Sequence, residues 1–163
     1  MNGKAILICG KICSGKSFYA EKLKAENSAV VLSCDELVFA LFDGELGEKH
    51  DEMTDRIRDY LSKKALEILS SGTDVILEWG FWQKEYRSEM RRFFESRDFL
   101  CEMHYIDISD DDWHRNIDER NKKVSGGDNT AYYLDRGLMQ KLERLFEEPE
   151  RSEIDVWHCN RRD

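Results

Sequence analysis

Eight consecutive residues, Gly10-Lys11-Ile12-Cys13-Ser14-Gly15-Lys16-Ser17, satisfy the pattern G-x-x-x-x-G-K-[ST] with no mismatch. That spacing suits one task, the holding of a phosphate chain. Its two glycines let the backbone curl so that successive N–H groups point inward at phosphate oxygens. A helix opening near Gly15 adds the positive end of its dipole. Lys16 is long enough to reach β- and γ-phosphates, and the Ser17 hydroxyl is a ligand for Mg²⁺. All eight residues, Lys11, Ile12, Cys13 and Ser14 included, are therefore expected to bind nucleotide, with Mg²⁺ beside it.

Three further constellations could act on a bound phosphate. Leu32-Ser33-Cys34-Asp35-Glu36 ends an apolar run in carboxylates. A carboxylate there would accept the proton of an acceptor hydroxyl lying in line with the γ-phosphate, and Asp35 is the expected base. Its structural alternative is a helix N-cap. In Glu78-Trp79-Gly80-Phe81-Trp82, Glu78 would hold Mg²⁺ through water or bind the acceptor hydroxyl. Trp79 and Trp82 would wall an acceptor pocket, unless they pack between sheet and helices. Arg115 and Arg120 precede Gly126-Gly127 and would fold over the nucleotide as a lid, neutralising charge on the transferred group. Solvation, or pairing with Asp111, Asp118 or Glu119, is the competing role.

A guanine-recognition N-K-x-D is missing, since Asn121-Lys122-Lys123-Val124 lacks its Asp, and no D-x-x-G switch follows. The expected nucleotide is ATP.

These residues need a scaffold that carries them to one edge. Short apolar runs at Lys4–Cys9, Ala29–Ser33, Asp74–Glu78, Leu100–Asp107 and Ile154–His158 read as five strands. Between them lie helical stretches: Ser17–Glu26, Asp35–Phe42, about His50–Ser70, Gln83–Arg97, a helix capped by Ser109 and running to about Asn121, and Ala131–Glu147. Gly72 has the place of a C′ glycine. Strands alternating with helices predict a parallel sheet covered on both faces, an α/β three-layer fold.

Length and composition agree. The chain has 163 residues, 40% of them in the set AVILMFWYC and 11% aromatic, enough for one domain with a real core. One proline, Pro149, and no Ser/Gly-rich linker leave no visible boundary, so residues 1–163 are expected to form one unit with its lid at about 115–135. The net charge is −9, which argues against a general nucleic-acid binder. Five cysteines without a C-x-x-C pair suggest neither a zinc set nor a disulfide framework. No apolar run approaches the roughly 20 residues that span a bilayer. A cytoplasmic protein without membrane contact is expected; its oligomeric state is silent.

At these residues the chain resembles the small P-loop kinases related to zeta toxins, chloramphenicol phosphotransferase and the kinase domain of polynucleotide kinase. The resemblance rests on Gly10–Ser17, Ser33-Cys34-Asp35, Glu78–Trp82, Trp113–Asn121 and the tail Leu145-Phe146-Glu147-Glu148-Pro149. It implies a P-loop NTPase fold like that of nucleoside-monophosphate kinases, with five parallel strands and a helical lid. It implies ATP and Mg²⁺ at Lys16 and Ser17, Asp35 as base, Glu78 as metal or acceptor contact, and Arg120, with Arg115 as alternate, as lid arginine. The implied activity is phosphotransfer to a hydroxyl of a small molecule. Competing readings are a polynucleotide 5′-hydroxyl kinase and a nucleotide-sensing ATPase or binding module. Glu36 and Leu37 stand where nucleic-acid-phosphorylating relatives often carry an arginine, which weighs against the former.

Overall fold

The computed structural model describes residues 1–161; the last two residues of the expected 1–163 unit lie outside the described residues. The elements run β1 (Ala5–Cys9), α1 (Lys16–Asn27), β2 (Val30–Leu32), α2 (Cys34–Phe42), α3 (His50–Ser70), β3 (Val75–Gly80), α4 (Lys84–Glu95), β4 (Cys101–Ile108), α5 (Asp110–Ser125), α6 (Arg136–Leu145) and β5 (Val156–Asn160). Single 3₁₀ turns stand at Gly47–Lys49 and Arg151–Glu153.

All five strands are parallel, in the order β2-β3-β1-β4-β5. The chain leaves β1 for the β2 side, returns through β3, then crosses β1 to reach β4. The loop after β1 therefore sits where connections diverge to opposite sides, the place where parallel sheets bind ligands.

Strand β1 is buried from end to end, as a strand covered on both faces must be. Ala5, Leu7 and Cys9 belong to the cluster built with α2, α3 and α4, which contribute Val38, Leu61, Ala65, Leu69, Met90 and Phe94. Ile6 and Ile8 face the other way, against Tyr19, Ala20 and Leu23 of α1. Burying each such side chain contributes about 1.5–3 kcal/mol, so alternation along one strand fixes both layers. A third, smaller cluster packs Trp113 and Ile117 of α5 with Leu134 and with Leu138, Met139 and Leu142 of α6, and Ile12 and Cys13 of the loop lie against it.

Several boundaries differ from expectation for identifiable reasons. Ser33 is the N-cap of α2, its Oγ accepting from the Glu36 N–H at 3.3 Å. The alternative role for Asp35, that of cap, is thus taken by its neighbour two residues earlier. Strand β3 runs on to Gly80, past Glu78. Helix α6 begins at Arg136 rather than Ala131, because Asp135 caps it by accepting from the Leu138 N–H at 2.8 Å. The stretch before it is pinned instead by Asn121, whose side-chain amide bonds both the N–H and the C=O of Leu134. At Gly72 the expected C′ glycine is found, with φ 88°. Its N–H reaches the Leu69 carbonyl, and that of Thr73 reaches Ile68, the Schellman pairing. All five cysteines are unpaired. Among the described residues, no helix is long and apolar enough to cross a membrane.

Candidate active site

A phosphate cradle requires that the loop's N–H groups face inward and its carbonyls be satisfied elsewhere. Here five consecutive carbonyls are hydrogen-bonded, four of them to side chains from elsewhere in the fold. Gly10 O accepts from Trp82 Nε1 at 3.0 Å and Lys16 Nζ at 3.2 Å. Lys11 O accepts from Lys16 Nζ at 2.6 Å. Ile12 O accepts from Trp113 Nε1 at 2.7 Å, Cys13 O from Asn116 Nδ2 at 2.9 Å, and Ser14 O from Asn160 Nδ2 at 2.8 Å. The loop needs left-handed backbone at Cys13 (φ 58°) and Gly15 (φ 98°). A Cβ at Gly15 would come within 2.5 Å of Asn160 Nδ2, so a side chain there would also break the Ser14 contact. Helix α1 starts at Lys16, and its first N–H groups have no acceptor within the helix.

The ammonium of Lys16 faces two carboxylates. Burial pushes it below the ordinary lysine value, and the charges of Glu78 and Asp35 oppose that shift. Glu78 lies on the same face of β3 as Ile76, the α1 side. Burial pushes its carboxyl up and Asp35 adds to the rise; Lys16 and hydrogen bonds from the Ser17 and Ser33 side chains pull it down. Lys16, Ser17, Asp35 and Glu78 are therefore gathered at one point of the carboxyl edge. Asp35 is exposed on the first turn of α2, rather than at a strand tip, and acts electrostatically on Lys16, Glu78 and Tyr132.

Trp113, Asn116 and Arg120 follow one another along one face of α5 at helical spacing. The guanidinium of Arg120 reaches Cys13 Sγ at 3.2 Å, and its buried Nε has no hydrogen-bond partner among the described residues. Arg115 is turned away, its side chain 55% exposed and paired with Asp112 at 3.4 Å. Between α5 and α6, Tyr132 crosses to the other side of the site. Its ring packs on Phe39 at 4.8 Å and approaches His50 at 6.1 Å. The Tyr132 hydroxyl is buried without a partner among the described residues, and burial, with Asp35 adding, pushes it up.

The two tryptophans after Glu78 part company. Trp79 is 7% exposed, stacks on Phe81 and donates to Tyr86 Oη at 3.1 Å; the structure does not bring it to the cluster. Trp82 is half-buried and faces the loop. Its position depends on a tight turn at Gly80 (φ 91°) and Phe81 (φ 47°). That turn is clamped by Arg87, which is buried, ion-paired to Glu153 at 2.9 Å, and donates to the carbonyls of Phe81, Trp82 and Glu147.

A model of the AAA domain family matches residues 6–149. The chain belongs to this AAA domain family. No curated protein is significantly similar to it in sequence. Among solved structures, this AAA domain is similar to the Mycobacterium tuberculosis APS kinase CysC in complex with AMPPNP and APS, with TM-score 0.68 and 18% identity, covering 99% of this chain and 91% of that one. Chaetomium thermophilum Kti12 in complex with ADP-AlF3 matches with TM-score 0.68 and 15% identity, over 96% of this chain and 88% of that one. A sugar kinase from Janibacter sp. HTCC2649 matches with TM-score 0.64 and 14% identity, over 96% and 85%. At these identities the likeness is one of fold: five parallel strands and six helices arranged as in P-loop kinases.

Four residues that the structure brings to the loop and its surroundings were not legible in the sequence of this AAA domain. Asn116 and Asn160 carried no signal, since an isolated amide within a helix or at a strand end is ordinary. Trp113 lay within a quoted motif without a role. Tyr132 stood in what was expected to be the first turn of a helix.

Proposed function

We propose that this AAA domain is an ATP- and Mg²⁺-dependent phosphotransferase that moves the γ-phosphate to a hydroxyl of a small molecule. The observation that carries this reading is the convergence of Lys16, Ser17, Glu78 and Asp35 beside a loop whose carbonyls from Gly10 to Ser14 are all hydrogen-bonded, four of them to side chains of other elements. A hydrolase needs no base on the acceptor side beyond one for water. The Asp35 carboxylate, exposed on a helix turn that faces Lys16, is suited to an incoming organic hydroxyl.

In this reading the first N–H groups of α1 and of the loop bind the β- and γ-phosphates, and Lys16 neutralises their charge. The hard oxygen donors of Ser17 and Glu78 fit Mg²⁺, which keeps several waters and takes few protein ligands. Glu78, raised by burial beside Asp35, is a carboxylate that a divalent cation would relieve. Held there, the ion would supply positive charge beside the phosphates. Asp35 orients the acceptor hydroxyl in line with the phosphorus and takes its proton. Arg120 serves as the lid arginine, since Arg115 is spent on Asp112. Trp82 borders the acceptor; Trp79 has no part.

Replacing Lys16 with Ala should abolish transfer of labelled phosphate from ATP to any acceptor. Transfer that persists in the purified variant at the parent rate overturns the reading.

A further inference from the structure

Tyr132 stands on the stretch between α5 and α6, and its ring reaches across to α2. It packs on Phe39 with ring centroids 4.8 Å apart and meets His50, the first residue of α3, at 6.1 Å. Phe39 follows Asp35 by four residues on α2, so the two share a face of that helix. The Phe39 ring lies tight against Gly44, where a Cβ would come within 2.5 Å of Phe39 Cε1. A tyrosine resting on Phe39 is therefore brought beside the Asp35 carboxylate.

Packing on Phe39 needs only the ring, and a phenylalanine would supply it. The hydroxyl has no such explanation. Its oxygen is buried without a hydrogen-bond partner among the described residues. Buried polar atoms are nearly always paired, and each exception calls for a cause. Burial pushes this hydroxyl above its ordinary value; the Asp35 charge adds to the rise and the Arg120 charge opposes it. Tyr132 thus lies within electrostatic reach of both the proposed base and the proposed lid arginine. The buried Nε of Arg120 likewise lacks a partner among the described residues.

We propose that Tyr132 is a specificity-determining residue for the acceptor: while Asp35 takes the reacting hydroxyl, the Tyr132 hydroxyl bonds a second oxygen of the same molecule. This deepens the phosphotransferase reading and rests on it. The acceptor is then a compound with at least two oxygens close together, of the polyol class, rather than a simple alcohol. A site built to bond the second oxygen discriminates against molecules that lack it, because its own buried hydroxyl is then left unpaired.

The test compares the parent with Tyr132→Phe and with Tyr133→Phe, the exposed neighbour serving as control. Melting temperature is read without ligand, and affinity for a non-hydrolysable ATP analogue by calorimetry. Transfer from γ-labelled ATP with Mg²⁺ is followed over a dilution series of a pooled metabolite extract, and the labelled product is identified by mass spectrometry. In Tyr132→Phe the amount of extract giving half-maximal labelling should rise about fivefold or more, the worth of one hydrogen bond. The saturated rate and the ATP-analogue affinity should stay within about twofold of the parent. Its melting temperature should equal or exceed the parent's, since the hydroxyl removed has no partner in the unliganded protein. Tyr133→Phe should match the parent throughout. Unchanged half-saturation, a lower melting temperature or a matching loss of ATP-analogue affinity in Tyr132→Phe overturns the proposal. So does a labelled acceptor with no oxygen besides the phosphorylated one. Failure of the underlying reading has a different signature, in which the parent places label on no organic compound and both fall together.

Discussion

The indole of Trp113 donates to the carbonyl of Ile12 at 2.7 Å, across 101 positions of sequence. Through this contact the helix after the fourth strand sets the shape of the loop after the first. Trp113→Phe keeps an aromatic ring but removes the N–H that holds the carbonyl, and leaves a smaller side chain in a buried place. A buried hydrogen bond contributes about 1 kcal/mol, so affinity for a non-hydrolysable ATP analogue should fall about fivefold to tenfold, as read by calorimetry. An unchanged affinity would show that the loop holds its shape without α5.

The two arginines of α5 should separate cleanly. Arg120 lies against the loop with an unpartnered Nε, whereas Arg115 faces solvent with Asp112. Arg120→Ala should lower kcat by about 10²–10³ with nucleotide binding little altered, and Arg115→Ala should stay within about twofold. Steady-state kinetics of the two variants decide the matter; equal losses would contradict the geometry.

Glu78 should weaken the protein it serves. Its folded value lies above its ordinary value of 4.5, so the folded state binds the proton more tightly than the unfolded one. Stability therefore falls as pH rises through the window above 4.5, and the cost persists at neutral pH. Glu78→Gln removes the charge and should raise the melting temperature in the absence of nucleotide, while reducing Mg²⁺-dependent turnover. A lower Tm in calorimetry would mean that the Lys16 contact outweighs burial.

The Arg87–Glu153 pair is the opposite case. With side chains 2% and 14% exposed, breaking it leaves a buried charge. Arg87→Ala should cost about 3–5 kcal/mol, read as a lower urea midpoint with unchanged slope. Burial raises Glu153, but the Arg87 hydrogen bond and charge outweigh it and hold the carboxyl below its ordinary value of 4.5. Its contribution is therefore complete above that value and is lost as pH falls through the folded value. A midpoint unchanged between pH 7 and about pH 3 would contradict this, since acid should protonate the Glu153 carboxylate first in the unfolded chain.

The α/β order and the phosphate loop were legible because both are local. Apolar runs alternating with helical stretches give the layers, and Gly10 to Ser17 carry their chemistry in consecutive residues. Asp35 and Glu78 were legible as types at the ends of apolar runs; Asp35 stands on the first turn of the expected helix, whereas Glu78 lies two residues before its strand ends. What holds the loop was not legible. Asn160 meets Ser14 across 146 positions, and no local pattern announces such a contact. The division between Trp79 and Trp82 was likewise invisible, because it follows from strand alternation continuing through Trp79 and then breaking at the Gly80–Phe81 turn. Tyr132 was hidden by a helix start expected too early, before Asp135 was recognised as its cap.

In the proposed reaction Asp35 directs phosphate to an organic hydroxyl. The most direct measurement incubates the protein with γ-labelled ATP, Mg²⁺ and a pooled metabolite extract, with Asp35→Asn alongside. Label should appear on an organic acceptor with the parent and be lost with the variant, with nucleotide binding nearly intact in both. Label recovered only as inorganic phosphate, and equally from both proteins, would contradict it.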